Sequence, residues 1–118
     1  MTALSSEDSP VYLRLRATIA ACILRGEYKA GDQLPSVRAL AAEHRANPLT
    51  VAKAYGGFQD DGYVEVRRGV GMFVLPGAAE RLRADERDRF IRTQWPRVRA
   101  YIELLGLDAA ELLERSEA

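Results

Sequence analysis

Between Leu34 and Val74 the chain carries a dense series of helix starts, stops and turns that leaves little freedom for its fold. Ser36 stands where a helix N-cap is needed, and Val37, Leu40 and Ala41 follow on one side of the helix it would open. Arg45-Ala46-Asn47-Pro48 then reads as a tight turn, with Asn47 suited to a second N-cap and Pro48 to the first helical position. Val51, Ala54, Tyr55 and Phe58 recur at helical spacing as far as Gly62, a good left-handed terminator. Tyr63-Val64-Glu65-Val66 alternates as a strand does, Met72-Phe73-Val74-Leu75 returns as its partner, and Arg68-Gly69-Val70-Gly71 makes the tip. Helix, turn, helix and ribbon in this order are the parts of a winged helix-turn-helix, which lays its second helix in a DNA groove. The expected fold class is mainly α with a small β-hairpin, the winged helix-turn-helix being followed by a short C-terminal helical dimerisation segment.

The flanks extend this plan. Residues up to Ser9 read as a loose arm, and from Val11 the positions Tyr12, Leu15, Ile19 and Ile23 mark an amphipathic helix that Gly26 can end. Lys29-Ala30-Gly31-Asp32 is a turn. Pro76-Gly77 marks the expected boundary between a DNA-binding domain, residues 1–76, and the C-terminal segment, residues 77–118. From Glu80 to Arg89 arginines and acids alternate with Leu82 as the one large apolar residue, the pattern of a helix exposed on most of its circumference. Apolar residues return with Phe90 and Ile91, and Pro96 should kink or restart the helix. Gly106 ends it, and Asp108 with Glu111 forms a capping box for a last short helix. So short a segment cannot build its own core, so its apolar face must meet the first domain or another chain. Symmetric dimerisation is the common solution, here through Trp95, Val98, Tyr101, Ile102, Leu105 and Leu112.

Composition narrows the function classes. The 118 residues include 17 basic and 17 acidic side chains, so the net charge of zero gives no global signal for nucleic acid. Steering depends on local charge, however, and a basic face is compatible with a neutral total. Cys22 is the one cysteine, which excludes an intrachain disulfide; beside Ile19 and Ile23 it reads as a small buried residue. No apolar run approaches the roughly 20 residues that span a bilayer, and the acidic, polar N-terminus is unlike a signal peptide. A cytoplasmic protein without a membrane partner is expected. His44 is the one histidine and has no second ligand near it, so it reads as a turn or helix-end residue and no metal or other cofactor is implied. Cys22 and His44 fall on separate helices and suggest no dyad, so the chain reads as no enzyme.

Within the helix-turn-helix the recognition helix starts at Asn47, itself a candidate DNA contact. Its inward residues leave Leu49, Thr50, Lys53 and Gly57 nearer the groove. Thr50 can donate to a phosphate, and Lys53 can reach a phosphate or a guanine edge. Leu49 can touch a thymine methyl or pack against the turn. Arg38 in the bracing helix and Arg45 in the turn are placed to hold phosphates, the competing reading being a salt bridge with Glu43 or Asp32. Arg67-Arg68-Gly69-Val70-Gly71 can enter a minor groove. A phosphate-cradling nucleotide loop is the weaker reading of that tip, because a third glycine is missing and a strand follows rather than a helix.

Several of these motifs together resemble the GntR family of bacterial transcription regulators. They are Pro10-Val11-Tyr12, Gly26-Glu27, Gly31-Asp32-Gln33-Leu34-Pro35-Ser36-Val37-Arg38, Leu40-Ala41, Thr50-Val51, Gly62 and Gly69-Val70-Gly71-Met72-Phe73-Val74. Asn47-Pro48-x-Thr50-Val51-x-Lys53-Ala54-Tyr55 resembles the YtrA-type branch in particular, and the likeness covers Pro10 to Leu75. It implies that Arg38, Arg45, Thr50 and Lys53 contact operator DNA, that Gly69 lies at the wing tip, and that a short helical C-terminal part dimerises. Members of the branch often control transporter genes, usually as repressors. Leu49 stands where the branch usually has asparagine, and Gly56-Gly57-Phe58 replaces a more helix-friendly run. Each glycine should cost the helix about 1 kcal/mol relative to alanine. The partners expected are double-stranded operator DNA, a second copy of the chain and an unknown small-molecule effector. Two other readings compete: a winged-helix protein-interaction module without DNA binding, and a sensor formed between the two parts around Trp95 and Tyr101.

Overall fold

A computed structural model describes residues 9–115. The expected N-terminal arm lies outside the described residues up to Ser9, and Ser9 itself caps the first helix, its Oγ accepting from Tyr12 N at 3.1 Å. Helix α1, Pro10–Leu24, turns Tyr12, Leu15, Ile19, Ala20 and Ile23 inward. Helix α2, Val37–His44, begins where Ser36 Oγ accepts from Ala39 N at 3.0 Å. Helix α3, Pro48–Asp60, begins where Asn47 Oδ1 accepts from Leu49 N at 2.8 Å. Val51, Ala54, Tyr55 and Phe58 are its buried residues, as their spacing requires. Tyr55 also donates its hydroxyl to Pro35 O at 2.7 Å, which ties α3 to the strap that leads into α2.

The chain then forms a hairpin of β1, Val64–Arg67, and β2, Gly71–Val74, in the register Val64↔Val74, Glu65↔Phe73, Val66↔Met72 and Arg67↔Gly71. The strands sit one residue off the expected ones, so the tip is Arg68-Gly69-Val70 and Gly71 belongs to a strand. Val70 N donates to Arg67 O at 2.9 Å, and Gly69, at φ 78, fills the position of a type II turn that favours glycine. A third extended piece lies along β2: Gly31 N donates to Val74 O at 2.7 Å, Val74 N to Asp32 O at 3.0 Å and Leu34 N to Met72 O at 2.8 Å. The residues just before α2 therefore form an edge of the wing.

Helix α4 runs Ala78–Arg89. The molecule divides into two compact units within it, one running to Arg83 and the other beginning at Ala84. The first unit extends past Pro76-Gly77 because Ala78 and Leu82 are buried with its core, Leu82 completely. Burying one leucine contributes about 1.5–3 kcal/mol, which explains why the lone apolar residue of a charged run matters. Arg81 in the same stretch lies 5.6 Å from the Tyr63 ring centroid and donates to Gly62 O.

Within the second unit, a π-helical stretch, Phe90–Gln94, leads into α5, Trp95–Leu104, and α6, Ala109–Glu114. The expected break at Pro96 takes this form because proline crowds the turn before it and lacks an N–H to continue the α ladder. Trp95 N donates instead to Phe90 O, five residues back. Asp108 Oδ1 accepts from Ala110 N at 3.1 Å at the start of α6. Among the described residues no helix is long and apolar enough to cross a membrane. Cys22 departs from its expected burial. It is half-buried, and partial desolvation raises its thiol pKa above the ordinary value, with Glu27 adding to the shift.

Candidate nucleic-acid interface

The outer face of α3 follows from its inner one. With Val51, Ala54, Tyr55 and Phe58 buried, Leu49, Lys53 and Gly56 align on the opposite side at helical spacing, with Thr50 half-buried at its margin. Gly57, expected near the groove, faces inward: a Cβ there would stand 3.2 Å from the Tyr12 hydroxyl. Gly56 is the outward glycine, with open space where a Cβ would be. Leu49 is 71% exposed, which removes the alternative that it packs against the turn. Asn47 is exposed, with its Oδ1 committed to the cap and its amide nitrogen not consumed by that bond.

The cations around this helix differ in their commitments. Arg38 is exposed on the first turn of α2 and, among the described residues, forms no ion pair with Glu43 or Asp32. Both acids are engaged elsewhere, since Asp32 Oδ2 accepts from Lys29 N at 2.8 Å and Glu43 Oε2 lies 3.4 Å from His44 Nε2. Arg45 is the C-cap of α2 and sits at φ 51, ψ 45, in the left-handed region that side chains other than glycine rarely enter. Its backbone makes the tight reversal between α2 and α3, where Ala46 N donates to Ala41 O at 2.9 Å. Lys53 is exposed on α3.

On the wing, Arg67 and Arg68 part company. Arg67 donates through Nε and Nη2 to Glu65 Oε2 at 3.3 and 3.2 Å, and its guanidinium lies 4.2 Å from the Phe73 ring centroid. It is held back along the hairpin, whereas Arg68 stands exposed beside Gly69 at the tip. Ser36 and Val37, at the start of α2, border one groove with Val66, Val70 and Gly71, so the wing tip adjoins the bracing helix. Sequence reasoning missed the fold-back of Arg67 and the left-handed Arg45. The alternation of Glu65 with Arg67 hints at the first, since both side chains fall on one strand face; nothing in the sequence signals the second.

The expected dimerisation residues are all at least partly exposed in the C-terminal unit. Trp95, Ile102 and Leu112 are half-buried, while Val98, Tyr101 and Leu105 are open to solvent. Neither α5, α6 nor the π-helical stretch buries any residue. Phe90, Ile91, Leu104 and Leu113 add to this exposed apolar surface, Leu104 at 79% and Leu113 at 88%.

A capped bracing helix, a left-handed turn, a second helix presenting Leu49 and Lys53 to solvent, and an arginine-tipped hairpin define a winged helix-turn-helix of the DNA-binding class. Residues 11–74 match the family described as bacterial regulatory proteins, gntR family. Over 108 residues the chain is 34% identical to the HTH-type transcriptional regulator YhcF of Bacillus subtilis (strain 168), covering 91% of this chain and 87% of that protein. It is 39% identical over 71 residues to the HTH-type transcriptional repressor YtrA of the same organism, covering 60% of this chain and 55% of YtrA. A GntR family transcriptional regulator from Listeria monocytogenes has the same fold at a TM-score of 0.72 and 25% identity, over 94% of this chain and 98% of that one. The DNA-binding domain of AraR, solved in complex with operator ORR3, matches at a TM-score of 0.53 and 25% identity, over 63% of this chain and 90% of that one. The chain belongs to the GntR family, among its YtrA-type transcription regulators. The family and these relatives are regulators of transcription, not enzymes.

Proposed function

We propose that the chain is a homodimeric repressor that binds a palindromic operator in the cytoplasm, where its DNA target lies. Within each copy, Arg38, Arg45 and Lys53 hold phosphates, Thr50 donates at the start of α3, Leu49 meets a base edge in the major groove, and Arg68 with Gly69 enters the adjoining minor groove. The single observation carrying the dimer is the C-terminal unit, which buries none of its described residues yet presents Tyr101, Leu104 and Leu105 to solvent. A second copy of the same surface covers such a face, and isologous pairing sets two recognition helices about 34–36 Å apart on successive turns of DNA. Repression is the activity named for the similar YtrA, and transporter genes are the class of target the branch resemblance suggests.

The test begins by selecting a duplex from a random-sequence pool with the full chain at low salt. The enriched site should be an inverted repeat. A dimer presenting Arg38, Arg45, Lys53 and Arg68 twice should lose affinity with salt at a log–log slope of about −7. Arg38→Ala and Thr50→Ala should weaken binding, and Tyr101→Glu with Leu105→Glu should give a folded monomer by sedimentation. A pool with no enriched duplex would favour the protein-interaction reading, and a double variant that still dimerises would move the interface elsewhere.

A further inference from the structure

Gln33 lies on the edge piece that runs along β2, its backbone bridged to Phe73 and its side chain directed at the wing tip. Its Nε2 donates to Val70 O at 2.9 Å, across 37 positions of sequence. The opposite strand accommodates it closely. A Cβ on Gly71 would collide with the Gln33 amide nitrogen, and Gly71 has φ 149, so a glycine is required there for both space and backbone. Beneath the tip, Pro35, Val37, Val66, Val70 and Met72 line an open groove of about 300 Å³. The tip is therefore not packed down on a core, and Val66 and Val70 remain 50% and 62% exposed. A side-chain bond from the neighbouring edge is thus well placed to limit how far the hairpin swings.

We propose that Gln33 is a positioning residue for the wing: by tethering the Val70 carbonyl it fixes the direction in which Arg68 and Gly69 are presented, relative to the α2 start that carries Arg38. The inference rests on the DNA-binding reading above. A tethered tip loses less entropy when it enters a groove, so removing the tether reduces affinity while every group that touches DNA stays in place. Gln33 need not touch DNA itself.

Gln33→Met tests this, because it keeps length and charge and removes the donor. In the full-length chain the Val70 amide, which donates to Arg67 O across the turn, should exchange with solvent about three- to ten-fold faster, with α3 amides unchanged. Gln33→Lys, which restores a long donor, should bring that rate back. On the duplex enriched by the wild-type chain, Gln33→Met should bind about three- to ten-fold more weakly, and this loss should vanish in an Arg68→Ala background. An unchanged Val70 exchange rate overturns the tether, and an equal loss in both backgrounds overturns its action through the wing. If a duplex is enriched but Gln33→Met binds it as tightly as wild type, this inference fails alone. If no duplex is enriched, the DNA-binding reading fails, and the role of the wing fails with it.

Discussion

Replacing Arg45 by glycine should make the protein more stable and a weaker DNA binder. Arg45 holds φ 51, ψ 45, and a left-handed backbone costs an L-residue roughly 1–2 kcal/mol. Glycine takes this conformation without the Cβ penalty but loses about 0.5–1 kcal/mol more entropy on folding. The balance favours Arg45→Gly by about 0.5–1 kcal/mol, a rise of about 2–6 °C in thermal midpoint. Nothing on the folded side opposes this gain, because the exposed Arg45 side chain makes no ion pair among the described residues. A position that tolerates backbone strain in order to keep a guanidinium is one where the side chain serves something other than stability.

The DNA-binding side carries the opposite sign. In the proposed dimer, removing one charge-assisted phosphate bond from each subunit, at about 1 kcal/mol for an exposed pair, should weaken binding roughly 30-fold. It also reduces the salt slope by about 2. Arg45→Ala separates the effects, since it removes the guanidinium and keeps the strained backbone; its affinity should fall as for glycine with no gain in stability. Thermal melts at fixed protein concentration and binding isotherms at several salt concentrations measure both quantities. A destabilised Arg45→Gly would refute the strain argument. A stabilised variant with unchanged salt slope would refute the phosphate assignment while leaving the backbone argument standing.

Three further outcomes follow from the geometry. Gly56→Ala should raise stability by about 0.5–1 kcal/mol, since open space awaits the methyl group; Gly57→Ala should gain less or lose, because the Tyr12 hydroxyl must give way. Chemical denaturation of the two variants side by side checks this order. Burial raises the pKa of Tyr55 above the ordinary tyrosine value of 10.0, so its contribution to stability is fully present below pH 10 and is lost as the pH rises above it. Tyr55→Phe should cost about 1 kcal/mol at neutral pH through the lost bond to Pro35 and should flatten that alkaline decline; stability measured from about pH 8 to 11 decides. A fragment ending at Arg83 should fold, whereas one ending at Gly77 should melt well below it because Leu82 is missing, as circular dichroism would show.

How far the fold was legible in the sequence depended on the range of the interaction concerned. Ser36, Asn47-Pro48 and Gly62 mark their helices correctly because a cap acts over two or three residues of its own backbone. Strand edges moved by one residue because pairing, not alternation, fixes register: Arg67 and Gly71 face each other across the tip. The two glycines of α3 look alike in sequence, and only the placement of α1 against α3 sends Gly57 toward Tyr12 and Gly56 outward. The length and type of the break before Pro96 were likewise unreadable, since proline forbids the regular ladder without saying which alternative replaces it. In the reading surface, residue types were legible and their commitments were not. Arg67 and Arg68 are adjacent and identical, yet Glu65 and Phe73 hold one of them back.

The distinction between type and commitment also resolves the apparent conflict of a neutral chain with a polyanionic target. From α2 to the end of α3 stand Arg38, Arg45 and Lys53 against Glu43 and Asp60, and Glu43 lies beside His44. Two acids of α4 are instead paired locally, Glu86 with Arg89 at 3.5 Å and Asp88 with Arg92 at 2.7 Å. Such pairs contribute little to stability at an exposed surface, but they cancel their own fields. At physiological ionic strength a charge is screened beyond about 8 Å. A phosphate approaching α2 and α3 therefore responds to the small cationic excess of those helices more than to the zero sum of the chain. Neutrality lowers indiscriminate long-range attraction to nucleic acid while leaving the close-range contacts intact, so it favours discrimination between sites over affinity for DNA in general.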